Sequence, residues 1–146
     1  TNPPMLYISV RKSRYSYQAL HETGVFGINL TTEKLVRATD YCGVVSGREH
    51  DKFKECHLTK EKADQIPVAL VAESPVTIEC RITEEKELGS HVMMIADVLS
   101  VHADEKYMDE KGRFALEKAH PIVYSHGTYF SLGKGLGRFG FSVKKK

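Results

Sequence analysis

Apolar runs and amphipathic stretches alternate along the first part of the chain. Residues 5–10 form a short apolar run that predicts a buried strand. Residues 13–23 are typical of a helix, for which Gly24 is a suitable C-terminal stop. Residues 25–30 predict a second buried strand, and the two threonines that follow can cap a helix running to about Tyr41. The pattern therefore predicts strand, helix, strand, helix.

The second part of the chain is richer in strand patterns. Residues 42–48 are mostly small and predict a loop. Residues 76–83 alternate apolar with polar side chains, with Glu79 on the polar side, which is typical of a half-buried antiparallel strand. A turn over 84–90 and a more apolar partner over 91–102 complete the predicted hairpin. A charged excursion, two short strand candidates and a glycine-rich end follow, over 104–118, 122–124, 128–132 and 133–141.

This order of elements predicts a mainly β fold with helices inserted early. Strands and helices that alternated throughout would instead predict a doubly wound parallel sheet, but the second half contains mostly strand patterns. A length of 146 residues is typical of a single domain. A domain of this size buries roughly 70% of its unfolded surface, so it needs no disulfide or metal to fold.

Charge excludes an electrostatic argument for nucleic acid. The chain has 21 basic and 19 acidic residues, and three of the basic ones are the final lysines, so the body carries 18 minus 19, or −1. A small β-barrel that binds nucleic acid through its lysine tail is the alternative from another class. The neutral body argues against it, and no apolar run approaches the ~20 residues that span a membrane.

Cysteine and histidine usage predicts neither a disulfide framework nor a metal site. The three cysteines, Cys42, Cys56 and Cys80, are odd in number and widely spaced. This usage indicates a reducing compartment, and we expect a cytoplasmic location. The seven histidines form no H-E-x-x-H or similar pairing. We therefore expect scattered structural histidines and no bound metal.

One loop contains the ingredients of a phosphate cradle. Ser46, Gly47 and Arg48 supply a hydroxyl, flexible backbone N–H groups and a guanidinium, and Lys52 follows with an ammonium. The alternative interpretation is a solvated loop before a short helix. Composition alone leaves both interpretations open.

Two further motifs have structural alternatives. His91 follows Gly89 and Ser90 at the entrance to an apolar strand, where its ring could act as donor or acceptor at a barrel mouth or merely close a hairpin. The glycines at 135, 137 and 140 match a dinucleotide fingerprint by letter, but only six residues follow them, too few for the helix the motif needs. We expect these glycines to let the tail lie close to another backbone.

Several short stretches, spread over essentially the whole chain, occur in an order typical of one family. They are Asn2-Pro3-Pro4-Met5, Arg14-Tyr15-Ser16-Tyr17, Glu22-Thr23-Gly24-Val25-Phe26, Ile28-Asn29-Leu30, Asp40-Tyr41-Cys42-Gly43-Val44-Val45-Ser46-Gly47-Arg48, Asp51-Lys52-Phe53, Ile78-Glu79-Cys80-Arg81, Leu88-Gly89-Ser90-His91, Tyr124-Ser125-His126-Gly127 and Phe139-Gly140-Phe141-Ser142. With these stretches the chain resembles the flavin reductase-like family of FMN-binding split barrels, especially its flavoredoxin branch. The long stretch over 40–48 is the most specific of them.

The resemblance implies a fold, a cofactor and a set of contacts. It implies a six-stranded antiparallel split β-barrel that forms a homodimer, with FMN in a groove near the subunit interface. It also implies that residues 1–146 are one flavin reductase-like domain, and we expect this domain to lack the N-terminal hairpin usual in the family. The implied FMN contacts are Ser46, Gly47, Arg48 and Lys52 near the phosphate, Asn29 near the ribityl or phosphate part, and Ser16 as a further polar contact.

The activity implied by the resemblance is electron transfer through FMN, from NADH, NADPH or a redox partner protein. Many relatives have a Gly-Asp-His triplet associated with the nicotinamide cofactor, and here Ser90 replaces the aspartate before His91. His91 is therefore the candidate for orienting a nicotinamide or the flavin. The serine leaves open a second interpretation, a non-enzymatic electron carrier that keeps its FMN bound.

Overall fold

The computed structural model describes residues 1–143 and shows a mainly β chain with three short α-helices among those residues. The strands are β1 (Met5–Arg11), β2 (Val25–Asn29), β3 (Lys60–Lys62), β4 (Ala69–Val71), β5 (Val76–Leu88), β6 (His91–Ala103), β7 (Ile122–Ser125) and β8 (Thr128–Ser131). The helices are α1 (Tyr15–Thr23), α2 (Val36–Val44) and α3 (Lys52–Glu55), and short 3-10 turns lie at Glu33–Leu35, Glu105–Tyr107, Leu116–Ala119 and Phe141–Val143.

A curled antiparallel sheet of four strands, in the order β1-β6-β5-β2, forms the body of the fold. The register between β5 and β6 shifts at Glu79/Cys80 and again at Ile82/Glu84, and such irregularities bend a strand and increase its twist. The hairpins β3–β4 and β7–β8 are separate two-stranded sheets. The mainly β class is therefore confirmed, whereas the described residues do not form one sheet of six strands.

The strand β5 is longer than its sequence pattern predicts. It runs to Leu88, so the predicted turn over 84–90 is reduced to Gly89 and Ser90. The polar residues after Thr83 are exposed but pair with the apolar start of β6, with Leu88 opposite His91. Alternation in the sequence reports burial rather than pairing, which is why this half of the strand was not predicted. Gly89 has a φ of 65°, the left-handed conformation that a tight turn requires.

The helix α2 also differs from its prediction. A 3-10 turn precedes it, and neither threonine caps it: the side chain of Thr32 makes no capping hydrogen bond and is buried next to Pro121. The helix continues through Cys42 and Gly43 to Val44, so the predicted loop over 42–48 is shortened. A lysine ammonium that binds a carbonyl near the C-terminus of α2 offsets the low helix propensity of these small residues.

The core lies on both sides of the sheet. One cluster contains Phe26, Cys80 and Ala96, against which Leu20 of α1 packs. A second cluster contains Ala63 and Ile66 from the segment between β3 and β4, together with Leu70 of β4. Because this segment covers the start of β5, both faces of β5 are buried there. The strand β1, predicted as buried, is only half-buried and exposes 67% of Tyr7.

The glycine-rich end forms no dinucleotide-binding unit within the described residues. Gly140 is followed by a 3-10 turn over Phe141–Val143 rather than by an α-helix. A Cβ atom on Gly137 would lie 2.6 Å from the ring of Phe141, so this glycine makes room for a side chain and not, as expected, for another backbone. Among residues 1–143 there is no helix with both the length and the apolar character to cross a bilayer.

Candidate functional site

The start of α1 and the loop after α2 meet at the ring of Tyr15. A Cβ atom on Gly47 would lie 3.3 Å from this ring, and the guanidinium carbon of Arg48 lies 5.3 Å from the ring centroid, a cation–π distance. Ser16 is the next residue of α1. The first turn of α1 has no acidic residue and its N-cap residue makes no capping hydrogen bond, so the positive end of the helix dipole is not compensated. Three of the predicted contacts thus lie in one exposed, basic region.

The backbone of this loop is already engaged in its own turn. The N–H of Arg48 donates to Ser46 Oγ at 3.2 Å, and the N–H groups of Glu49 and His50 both donate to the carbonyl of Ser46 at 3.2 Å. These three N–H groups are therefore not available for an anion. A phosphate at this loop would be held by side chains, namely the Arg48 guanidinium and the Ser46 hydroxyl, which can donate while its oxygen accepts.

Lys52 holds the end of α2. Its Nζ donates to the carbonyl of Cys42 at 2.6 Å, and the side chain is only half exposed. Asp51 caps α3 by accepting the N–H of Lys54 at 3.2 Å, which fixes the direction of the helix that carries Lys52. An ammonium has three donors, so one hydrogen bond to a carbonyl leaves two for a ligand.

His91 lies at the same end of the sheet as the start of α1. It pairs with Arg11, the last residue of β1, whose carbonyl accepts the N–H of Arg14 at 3.0 Å in the turn that leads into α1. The Oγ of Ser90 lies 2.8 Å from His91 Nδ1, so the serine that replaces the family's aspartate orients this ring. His91, Ser16 and the 46–48 loop therefore belong to one end of the molecule.

Asn29 lies at the other end of the sheet. It pairs with Thr77, and its Oδ1 accepts the N–H of Val71 at 2.8 Å, which ties β4 to β2. On β5, Thr77 and Leu88 are eleven residues apart, which corresponds to roughly 36 Å of extended strand. Within one subunit, the fold does not bring Asn29 together with His91.

A buried network around Glu79 was missed by the sequence pattern, which placed this residue on the exposed side of its strand. Its carboxylate is completely buried and accepts the N–H groups of Asp64, Gln65 and Ile66 at 2.8, 2.7 and 3.1 Å. His102 Nε2 lies 2.6 Å from the same carboxylate. Burial alone would raise the pKa of Glu79, but these hydrogen bonds outweigh it and hold the pKa below its usual value.

The same network contains a potential ligand set for a metal. One ligand atom each from Asp64, Glu79 and His102 lies within 4.8 Å of the others. Both carboxylate oxygens of Glu79 are already occupied by the segment over 64–66 and by the imidazole. These hydrogen bonds to Glu79 therefore explain how the segment over 64–66 is held over the sheet. No signal in the sequence identified this cluster, because its members are distant from one another along the chain.

A cleft of about 1100 Å³ lies between α2, α3 and the 105–120 segment. Its rim includes a polar cluster in which the hydroxyl of Tyr41 donates to Glu55, while His50 Nδ1 lies 3.0 Å from the same carboxylate. The hydrogen bond to Glu55, aided by burial, raises the pKa of Tyr41 to about 12. None of the predicted FMN contacts lines this cleft. Its basic residues are Lys34, Arg37, His57, Lys106, Lys118 and His120.

Comparisons with known proteins agree with the fold. Over residues 1–133 the chain matches the model of the flavin reductase like domain. It is similar to the flavoredoxin of Desulfovibrio vulgaris (Miyazaki F), with 28% identity and a TM-score of 0.89 over 98% of this chain and 78% of that one. The flavoredoxin of Methanosarcina acetivorans has 27% identity and a TM-score of 0.87, over 99% of this chain and 78% of that one.

A relative of greater length also matches. An uncharacterized protein of Archaeoglobus fulgidus is 26% identical over 110 residues, which cover 75% of this chain and 62% of the relative. The chain thus spans less than two thirds of the length of that relative. The family model, in contrast, covers nearly all of the present sequence, and the structural matches extend over its whole described fold. The chain belongs to the family of flavin reductase-like domains.

Proposed function

We propose that this chain binds FMN and transfers electrons through it, with the phosphate held between the 46–48 loop and the start of α1. The observation that carries the proposal is the contact of Tyr15 with Gly47 and Arg48, which unites a guanidinium, two serine hydroxyls and an uncompensated helix N-terminus. The similarity to two flavoredoxins supports a flavin as the ligand. A dianion is the group that such a set of donors binds best.

Each side chain has a distinct part in this proposal. The guanidinium of Arg48 is held against the Tyr15 ring, so little side-chain freedom is lost when it binds an anion. Ser46 and Ser16 add neutral donors. A hydrogen bond to a charged group contributes roughly 1.5–3 kcal/mol, and the lower figure applies here because the loop is exposed.

Lys52 has an indirect part. Because its ammonium is bound to the carbonyl of Cys42, it fixes where α2 ends and hence where the loop begins. It can add a second positive charge beneath the phosphate. Asn29 remains a predicted contact of the ribityl part, but it lies at the opposite end of the sheet from the 46–48 loop, so the two would contact one flavin only across the proposed subunit interface. The N–H of Val71 donates to the amide oxygen of Asn29, so the NH₂ group of Asn29 is the donor that a flavin oxygen would meet.

FMN, when bound, supplies hydride and electron transfer, and the protein supplies position and electrostatics. The end of the sheet with His91 is the place where a nicotinamide from NADH or NADPH would meet the flavin. Because Ser90 lies against Nδ1, the Nε2 atom of His91 is the one that would face a ligand. We also propose that the protein is a homodimer, with the flavin near the subunit interface as in the family it resembles.

The phosphate site is tested by titrating FMN into two double variants that lose the same charge. Arg48→Ala with Lys52→Ala removes both proposed cations, and Arg37→Ala with Lys54→Ala removes two exposed cations, one of which lines the large cleft. We expect the first pair to weaken FMN binding by at least tenfold, about 1.4 kcal/mol. The second pair should bind FMN as the unchanged chain does. The reverse result would place the flavin in the cleft and refute the cradle.

The enzyme and the electron carrier are separated by anaerobic mixing of the FMN-loaded protein with NADH and with NADPH. Loss of the visible flavin absorption within seconds identifies a reductase. If neither cofactor bleaches the flavin but a chemical reductant does, the protein is a carrier. The carrier is the second candidate because Ser90, which binds His91, stands where many relatives have an aspartate.

A further inference from the structure

The fold brings together two cysteines that the sequence separates by fourteen positions, Cys42 on α2 and Cys56 just after α3. Two hydrogen bonds next to these cysteines join the two helices. The hydroxyl of Tyr41, the residue before Cys42, donates to the carboxylate of Glu55, the residue before Cys56. The ammonium of Lys52 lies 2.6 Å from the carbonyl oxygen of Cys42 itself.

The orientation of α3 turns Cys56 toward α2. The N–H of Cys56 donates to the carbonyl of Lys52 at 3.1 Å, so these two residues are one helical turn apart and share a face. Lys52 on that face reaches Cys42, and Cys56 therefore faces it too. Both thiols are half-buried, and burial together with the neighbouring Cys56 thiol raises the pKa of Cys42. Cys80 is separate, fully buried in the sheet core, where burial raises its pKa to about 11.

We propose that Cys42 and Cys56 are a redox-active pair that forms a reversible disulfide between α2 and α3. The ring closed by this bond contains the whole 46–48 loop and Lys52. The disulfide would therefore restrict the segment that carries the proposed phosphate contacts. The inference depends on the arrangement of the two helices and does not require a bound flavin.

The oxidant is a low-molecular-weight disulfide, such as glutathione disulfide. Cys56 lines the large cleft and is the thiol that such a molecule reaches first. Its thiolate attacks one sulfur of the oxidant, forms a mixed disulfide and releases one small thiolate. The Cys42 thiolate then attacks the Cys56 sulfur and releases the second small thiolate. The protein loses two electrons and two protons, and the oxidant is reduced to two thiols.

The pair is tested by equilibrating the whole chain with glutathione disulfide, blocking free thiols by alkylation and digesting with trypsin without reduction. Cleavage after Arg37, Arg48, Lys54 and Lys60 places Cys42 in peptide 38–48 and Cys56 in peptide 55–60. We expect these two peptides to be linked within one chain, which then runs as a single chain on a non-reducing denaturing gel. Cys80 should carry the alkyl group, and dithiothreitol should reverse the link. Three alkylated cysteines, or a link that includes Cys80 or joins two chains, would overturn the proposal.

Single variants test the order of the two steps. With Cys42→Ser we expect a stable mixed disulfide at Cys56, because the resolving thiol is absent. With Cys56→Ser we expect glutathione disulfide to modify the chain at least ten times more slowly than it modifies the unchanged chain. The Cys80→Ala variant should still form the disulfide. If the unchanged chain also stops at a mixed disulfide on Cys56, the second thiol does not reach the first and the pair is refuted. This result is read on the unchanged chain and holds even if a variant folds poorly.

Discussion

The polar side chains at the two ends of the β5–β6 hairpin differ in burial and in hydrogen bonding. Where β5 begins, the buried Glu79 carboxylate is saturated by three backbone N–H groups and His102, whereas the hydroxyl of the nearby buried Thr77 has no hydrogen-bond partner among the described residues. Where Gly89 joins the strands, the polar residues of β5 are exposed and form surface pairs with other elements, such as Lys12–Glu87 and His21–Glu85. At that end, the guanidinium of Arg48 lies over the ring of Tyr15 and forms no ion pair with the described residues.

This difference separates stability from binding. Buried polar groups whose hydrogen bonds are all made fix one conformation, and they leave nothing for a ligand. Exposed donors on a shaped surface contribute little to folding and remain free to bind. We therefore expect substitutions at the Glu79 end to change the free energy of unfolding, and substitutions at the Arg48 end to change flavin affinity.

The largest expected effect on stability comes from Glu79→Gln. The amide has the shape of the carboxylate, but its NH₂ group cannot accept a backbone N–H, so at least one buried donor loses its partner. We expect a loss of about 3 kcal/mol in the free energy of unfolding, measured by chemical denaturation. Glu84→Gln, on the exposed part of the same strand, is the control and should change stability by less than about 0.5 kcal/mol.

The same network predicts a dependence of stability on pH. Because the pKa of Glu79 in the folded chain lies below its usual value, the unfolded chain binds the proton more tightly. The contribution of Glu79 is present above its unfolded pKa of about 4.3 and is lost as pH falls through its folded pKa. Denaturation midpoints of the unchanged chain should fall over this range more steeply than those of Glu79→Gln. Parallel pH curves for the two proteins would contradict the assignment.

A pair of glycine substitutions compares the two ends directly. A Cβ on Gly27 would lie 2.6 Å from Leu70, which is 1% exposed and has no space to move, so Gly27→Ala should cost about 2 kcal/mol. A Cβ on Gly47 would lie 3.3 Å from Tyr15, which is 45% exposed and free to shift. Gly47→Ala should therefore change stability by less than about 0.5 kcal/mol. Equal losses in thermal unfolding would show that the loop is as tightly packed as the core.

A smaller effect is expected at the junction between the two regions. Lys52→Ala removes the ammonium from the carbonyl of Cys42 and should cost about 1 kcal/mol of unfolding free energy. Lys54→Ala removes an exposed lysine from the same helix and serves as the matched control. If both variants have the same denaturation midpoint, the hydrogen bond to Cys42 does not stabilise the end of α2.

The same division between the two ends explains what the sequence could predict. Periodicity and glycine stops located β1, α1 and β2 within one or two residues, because those signals are local. The burial of Glu79 depends on a segment fifteen residues earlier that folds over the strand, and no local pattern encodes it. The pairing of Tyr15 with Arg48 is likewise a product of the tertiary fold, although residue types alone had marked the 46–48 loop.

The most direct measurement of the central claim is a thermodynamic cycle between Arg48 and the flavin phosphate. The unchanged chain and Arg48→Ala are each titrated with FMN and with riboflavin, which lacks the phosphate, and four dissociation constants are obtained. If Arg48 binds the phosphate, the variant should bind FMN about tenfold more weakly and riboflavin with unchanged affinity, a coupling of about 1.4 kcal/mol. An equal loss for both flavins, or no loss for either, would contradict the proposed site.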